Sequence, residues 1–112
     1  MTDWKAKLDL EFERAADARA RGNEGQARVC ARRAAGIAIR EYYARRGQSV
    51  RTPSAYDLLQ LVADEPHLSQ DLKQAAAYLT LRVTEEFKLP VEVDLLDEAR
   101  KLSDGLLNQK RP

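Results

Sequence analysis

GNEGQARVCARRAAGIAIREYYARRG, running from Gly22 to Gly47, is the stretch whose reading decides the fold. Ala27, Ala31, Ala34 and Ala38 recur at steps of four, three and four, with Cys30 and Ile37 beside them. That is the helical period, and small residues on one face let a second backbone come close. Asn23 is a good N-cap and Gly47 fills the left-handed position that ends a helix cheaply. The stretch therefore predicts one long helix, bracketed by glycines, with a small-residue face built to receive another helix.

Working outward towards the N-terminus, Trp4, Leu8, Phe12, Ala15 and Ala16 form a stripe that predicts a helix from about Thr2 or Asp3 to Arg21, stopped by Gly22. The two helices make an αα-hairpin. On the other side, residues 47–53 are a polar connection. Thr52 or Ser54 then caps a helix that starts near Pro53 and carries Tyr56, Leu58, Leu59, Leu61 and Val62 as its apolar positions. Pro66 ends it, and Ser69 opens a fourth helix through Leu72, Ala75, Ala76, Leu79 and Val83. Lys88, Leu89 and Pro90 break the pattern, because the residue before proline is biased away from the helical region. A last helix is expected from about Glu92 to Asn108, with Val93, Leu95, Leu96, Ala99, Leu102, Leu106 and Leu107. No stretch alternates with the period of a strand. The expectation is an all-α, antiparallel up-and-down bundle of four to five helices forming a single domain over residues 1–112, with 109–112 as a frayed tail.

Composition agrees with one charged, globular domain: 112 residues, 44% hydrophobic and 33% charged. The lone cysteine, Cys30, lies on the apolar stripe and reads as a small buried hydrophobe in a reducing compartment. The first residues lack an apolar stretch of signal-peptide length and no run approaches a membrane span, so the chain reads as cytoplasmic with no membrane partner. Net charge is only +1, yet it is unevenly spread. Residues 1–52 hold 12 Lys/Arg against 7 Asp/Glu, and residues 53–108 hold 5 against 11. Such asymmetry serves either to steer a partner or to dock the two halves of the chain on each other.

Catalytic chemistry has few places to reside. His67, the only histidine, stands in the turn Asp64-Glu65-Pro66-His67, whose spacing matches no defined metal-ligand motif. Cys30 has no neighbouring histidine to activate it. Glu85 with Glu86, and Asp94 with Asp97 and Glu98, read as solvated faces of amphipathic helices rather than paired catalytic carboxylates. Gly22 to Gly25 opens a helix but lacks the strand and lysine of a phosphate cradle. No metal and no cofactor is expected. The basic set is the remaining candidate: Arg28, Arg32, Arg33, Arg40, Arg45, Arg46 and Arg51, with Tyr42 and Tyr43 beside them, offer the cations and rings that phosphate and unstacked bases prefer. Asp9, Glu13 and Asp17 on the first helix are rival partners for those cations, and Arg45 and Arg46 also suit a helix C-terminus by themselves.

The hairpin from Ala15 to Tyr43, the Leu-rich segment from Ser54 to Val62 and the Lys88-Leu89-Pro90-Val91-Glu92 turn before a final helix together resemble the HEPN family of small helical bundles. The resemblance covers most of the chain and implies a dimer, often paired with a nucleotidyltransferase in a toxin-antitoxin system. Active members resemble metal-independent ribonucleases with an arginine followed, after four to six residues, by histidine. This chain departs from that pattern. After Arg82 the three eligible positions are Phe87, Lys88 and Leu89, and before His67 they are Gln60, Leu61 and Val62. The resemblance thus carries over fold and dimerisation but not ribonuclease activity. A second, shorter likeness, through Ala16, Gly22, Ala27, Ala34 and Tyr42-Tyr43, is to a tetratricopeptide helical pair, but residues 50–84 do not repeat it. The expected function is a non-catalytic interaction module, homodimeric and paired with a nucleotidyltransferase-type protein. The alternatives are an RNA- or nucleotide-binding protein with weak ribonuclease activity, and a peptide-binding bundle.

Overall fold

The computed structural model describes residues 3–81 and 92–108, and within them the regular elements are five helices: α1 (Trp4–Ala20), α2 (Glu24–Arg45), α3 (Ala55–Ala63), α4 (Gln70–Leu79) and α5 (Leu95–Leu107). The Lys88-Leu89-Pro90 turn, Val83, the Glu85-Glu86 pair, Arg82 and the 109–112 tail lie outside the described residues.

Local chemistry sets the boundaries. Gly22 and Gly47 have φ of 77° and 75°, the left-handed region in which a Cβ is costly, so each ends a helix where the sequence predicts it. Four helices begin at a side chain that accepts an amide hydrogen bond: Asn23 from Gln26, Ser54 from Asp57, Ser69 from Leu72, and Asp94 from both Leu96 and Asp97. Each such cap stabilises its helix by about 1 kcal/mol. Asp94 explains why α5 starts at Leu95 and not near Glu92. Its backbone is extended (φ −92°, ψ 103°), and its carboxylate takes the first free amides. At the other end of the preceding helix, Thr80 and Leu81 turn back on the carbonyls of Ala77 and Tyr78, so α4 stops at Leu79, short of the expected Val83.

The packing is a ring with one outrigger. α2 packs against α3, α3 against α4, α4 against α5 and α5 back against α2, while α1 rests chiefly on the outer side of α2. The short connections α1–α2, α2–α3 and α3–α4 make those neighbours antiparallel. Inside the ring, Ile39, Leu58, Leu59, Leu79, Leu95 and Leu102 are almost wholly removed from solvent. A smaller cluster joins Leu8 of α1 to Ala34 and Ala38 of α2, with Trp4, Phe12, Ile37 and Leu107 packed on its edge. The alanine face of α2 therefore does what its spacing predicts: it lets α1 lie close. Ala16 is exposed, however, and the α1 stripe continues through Ala18 instead. Tyr56 and Leu61, expected among the apolar positions of α3, are 47% and 44% exposed.

α5 meets α4 closely at Gly105, which lies under Leu72. A Cβ at Gly105 would overlap the Leu72 side chain, which is itself buried. Gly105→Ala is expected to destabilise the fold by up to about 2 kcal/mol, the overpacking against buried Leu72 outweighing the helix-propensity gain of about 1 kcal/mol. Gly25→Ala, whose Cβ would meet only Asn23 Oδ1 at 3.9 Å, should be neutral or stabilising by up to about 1 kcal/mol. Urea unfolding midpoints of the two variants check both.

Candidate binding surface

The arginines of α2 are the natural place to look for a ligand, and most of them are already engaged by the chain itself. Arg32 donates from Nε to the Leu79 carbonyl at 2.8 Å and from Nη2 to the Leu81 carbonyl at 2.7 Å. It thereby satisfies acceptors that α4 leaves open at its C-terminus. Arg45 does the same for α5, donating to the Leu107 carbonyl at 2.8 Å, while also pairing with Glu41 and standing over the Trp4 ring at 5.3 Å. One guanidinium thus fastens the end of α2 to the start of α1 and the end of α5. Arg40 donates to the Thr52 carbonyl and pins the α2–α3 connection. Arg46 covers the Tyr42 ring at 4.7 Å.

Tyr42 and Tyr43 are core residues, 4% and 6% exposed, packed edge to face with centroids 5.1 Å apart. Burial pushes both phenols above their ordinary pKa. Their rings are not available for stacking on a base, which removes the aromatic half of the expected arginine–tyrosine surface. Arg28 is half-buried and lies within electrostatic reach of Glu24, whereas Arg33 and Arg51 are exposed.

What the structure brings together is a groove. Arg33 and Arg40 bracket Ile37 along one side of α2, and all three line an open hollow of about 210 Å³ that is bordered by Glu11 from α1, Pro53 from the α2–α3 connection and Leu58 from α3. A second hollow of about 550 Å³ shares Ile37 and Arg40 and extends past Lys7 and Trp4 of α1 to Ala44. In the smaller hollow the Glu11 side chain is only 12% exposed, and its Oε1 has no hydrogen-bond partner among the described residues; the nearest cation is Arg14 at 3.7 Å. Neither Lys7 nor Glu11 stands out in the sequence. Their spacing of four residues beside the Trp4-Leu8 stripe was the available signal, but it reads equally as an ordinary intrahelical ion pair.

The opposite side of α1 is held by Arg19, which pairs with Glu24 at 2.7 Å and with Asp94 at 2.9 Å. This is where the basic and acidic halves of the chain meet in an ion pair. Hydrogen bonds from Arg19 hold both carboxyls below their ordinary pKa range, and the amides of Asp97 and Leu96 add to the effect at Asp94.

The other candidates are placed more plainly. Cys30 is 1% exposed, with the Gln26 amide 3.6 Å from its sulfur. His67 is exposed in its turn, its backbone N–H bonded to Glu65. Glu98, expected on a solvated face, is buried and paired with Lys101 at 3.3 Å, while Asp97 remains exposed. Among the described residues no group of histidine, cysteine and carboxylate side chains converges in a way that could hold a metal ion, and no helix is long and apolar enough to cross a membrane. No protein-family model, curated protein or solved structure matches this chain.

Two outcomes follow from these contacts. Arg32→Ala removes both hydrogen bonds at the α4 terminus and should cost about 1.5–3 kcal/mol, the range for bonds from a charged donor, read as a lower urea midpoint. Arg19→Ala should act through pH. The Glu24 and Asp94 carboxyls titrate lower in the folded chain than in the unfolded one, so their contribution is complete at neutral pH. It is lost as pH falls below about 4 and through the folded values. Stability of the Arg19→Ala variant, measured by urea unfolding from neutral to acid pH, is therefore expected to fall less steeply on the acid side than that of the parent.

Proposed function

We propose that this chain is a non-catalytic helical interaction module that acts through the groove between α1, α2 and the start of α3. The observation that carries the reading is the contrast along α2. Arg32, Arg40, Arg45 and Arg46 reach the chain's own carbonyls and rings, while Arg33 forms no ion pair with a described residue and lines, with Ile37 and the stem of Arg40, a groove that no other part of the described fold fills. A charged rim around an apolar strip is surface suited to recognition. The resemblance to HEPN bundles adds two features to the proposal, self-association as a homodimer and a nucleotidyltransferase-type protein as partner, in a cytoplasmic toxin-antitoxin-like pair.

Binding of RNA or a nucleotide is the second reading, favoured by the exposure of Arg33, Arg40 and Arg51. It is weakened by the burial of Tyr42 and Tyr43, because sequence-tolerant binding of single strands draws much of its strength from base–aromatic stacking.

Sedimentation velocity at micromolar concentration tests the homodimer directly. A species of twice the 12.7 kDa chain mass is expected, and a single 12.7 kDa species at all concentrations would overturn it.

A further inference from the structure

We infer that the hollow between the α2–α3 connection and the α3–α4 turn is a docking site for a basic segment of another protein. An arginine or lysine of that segment would lay its aliphatic stem on Val50, Leu61 and Pro66 and its charged head on Asp64 and Glu65. This surface lies apart from the groove beside α1, and the inference goes beyond the reading proposed for that groove.

The hollow measures about 610 Å³ and opens to solvent. Its apolar lining is accessible: Leu61 is 44% exposed, Pro66 is exposed and Val50 is half-buried. The only acidic or basic residues in the lining are Asp64 and Glu65, so no described cation borders it. Arg46 acts on the neighbouring Tyr43 phenol but lies over the Tyr42 ring. Neither carboxylate has an ion pair with a described residue. The Asp64 carboxylate accepts only the Gln60 side-chain amide, at 3.4 Å, and that of Glu65 only the His67 backbone N–H, at 3.3 Å.

The place of these carboxylates in the fold makes the missing partner matter. Asp64 is the C-cap of α3, Glu65 follows it, and the last turn of α3 holds no basic residue. A helix carries partial negative charge at that end, which disfavours acids and favours cations. A bound cation would satisfy both carboxylates and the helix terminus together. Local choices that cost stability with no compensating contact in the fold are a mark of functional surface.

Tyr43 supplies an independent sign. Its ring belongs to the core and the residue is 6% exposed, yet it lines the hollow, and its phenol forms no hydrogen bond with a described residue. Buried polar groups are ordinarily paired. Burial first, and then Glu65, raise the phenol's pKa, so it stays a neutral hydroxyl able to accept a hydrogen bond. A guanidinium or ammonium set between Glu65 and Tyr43 would donate to both, and either group has donors to spare for Asp64. A phosphate or an acidic segment would meet two carboxylates and no cation.

The test is a titration of the ¹⁵N-labelled full chain, followed by backbone amide shifts, with a blocked synthetic peptide holding one arginine between two leucines. The Ser49, Val50, Leu61 and Glu65 amides are expected to move. The same peptide with citrulline, which keeps the shape of arginine without its charge, should bind roughly tenfold more weakly. Asp64→Asn with Glu65→Gln should bring the two peptides to equal affinity. That variant's melting temperature should be unchanged or raised, because the charges it removes oppose the helix dipole. Tyr43→Phe keeps the ring and should weaken the arginine peptide about threefold to tenfold.

Absence of shifts at millimolar peptide would overturn the inference. So would equal binding of the arginine and citrulline peptides to the parent chain, a comparison that needs no protein variant. Movement of the same amides by spermine at lower concentration than the peptide would give the hollow to a free cation, and movement on dilution of the protein alone would give it to a second copy of the chain. Either result also overturns the inference.

Discussion

The position of α2 as a wall shared by two packing systems is the constraint on which the rest of this structure depends. One side faces the four-helix ring with Ala35, Ile39, Tyr42 and Tyr43, and another faces α1 with Ala34 and Ala38. A helix packed on more than one side must be apolar around most of its circumference. Its small residues reconcile the demands, because alanine buries enough surface to exclude water while leaving room for a backbone on either side. A larger side chain at Ala34 or Ala38 would push α1 outward and uncover Leu8.

The arginines follow from the same constraint. With so much of α2 committed to packing, its charged residues are confined to the margins between neighbouring helices. A margin is also where the ends of those neighbours present unpaired carbonyls. Long side chains with several donors suit that geometry: the stem lies along apolar surface while the guanidinium reaches an acceptor beyond it. Arg32 at the end of α4 and Arg45 at the end of α5 are two instances of one solution. The margin between α1 and α3 differs because α1 packs on α2 and is tied towards α5 by Arg19–Asp94 and by Arg100 standing 4.9 Å from the Phe12 ring centre. No described helix closes the remaining side, and Arg33 and Arg40 there border a groove.

Much of the fold was legible in residue order. Asn23, Ser54 and Ser69 cap where their chemistry says they should, Gly22 and Gly47 adopt the backbone that only glycine adopts cheaply, and the alanine period of α2 marks a helix–helix seam. These are local properties, set by a few neighbouring residues. The candidate surface was legible only in part. Arg33 and Arg40 stand in the groove, but Tyr42 and Tyr43, which look like its aromatic partners in sequence, point into the core, and Lys7 and Glu11 join it from a helix that the arginine-rich stretch does not contain.

The sequence by itself determined that this protein is a set of helices, where four of them start, and that the face of α2 bearing Ala34 and Ala38 receives a neighbour. Periodicity and capping chemistry carry that information within a single turn or two. Only the tertiary structure decided which arginines are consumed and which are left over. Whether a guanidinium meets a carbonyl depends on where a helix some fifty residues away happens to end, as Arg32 meets Leu79 and Arg45 meets Leu107. Such a meeting is fixed by the closing of the α2–α5 ring, and no spacing along the chain encodes it.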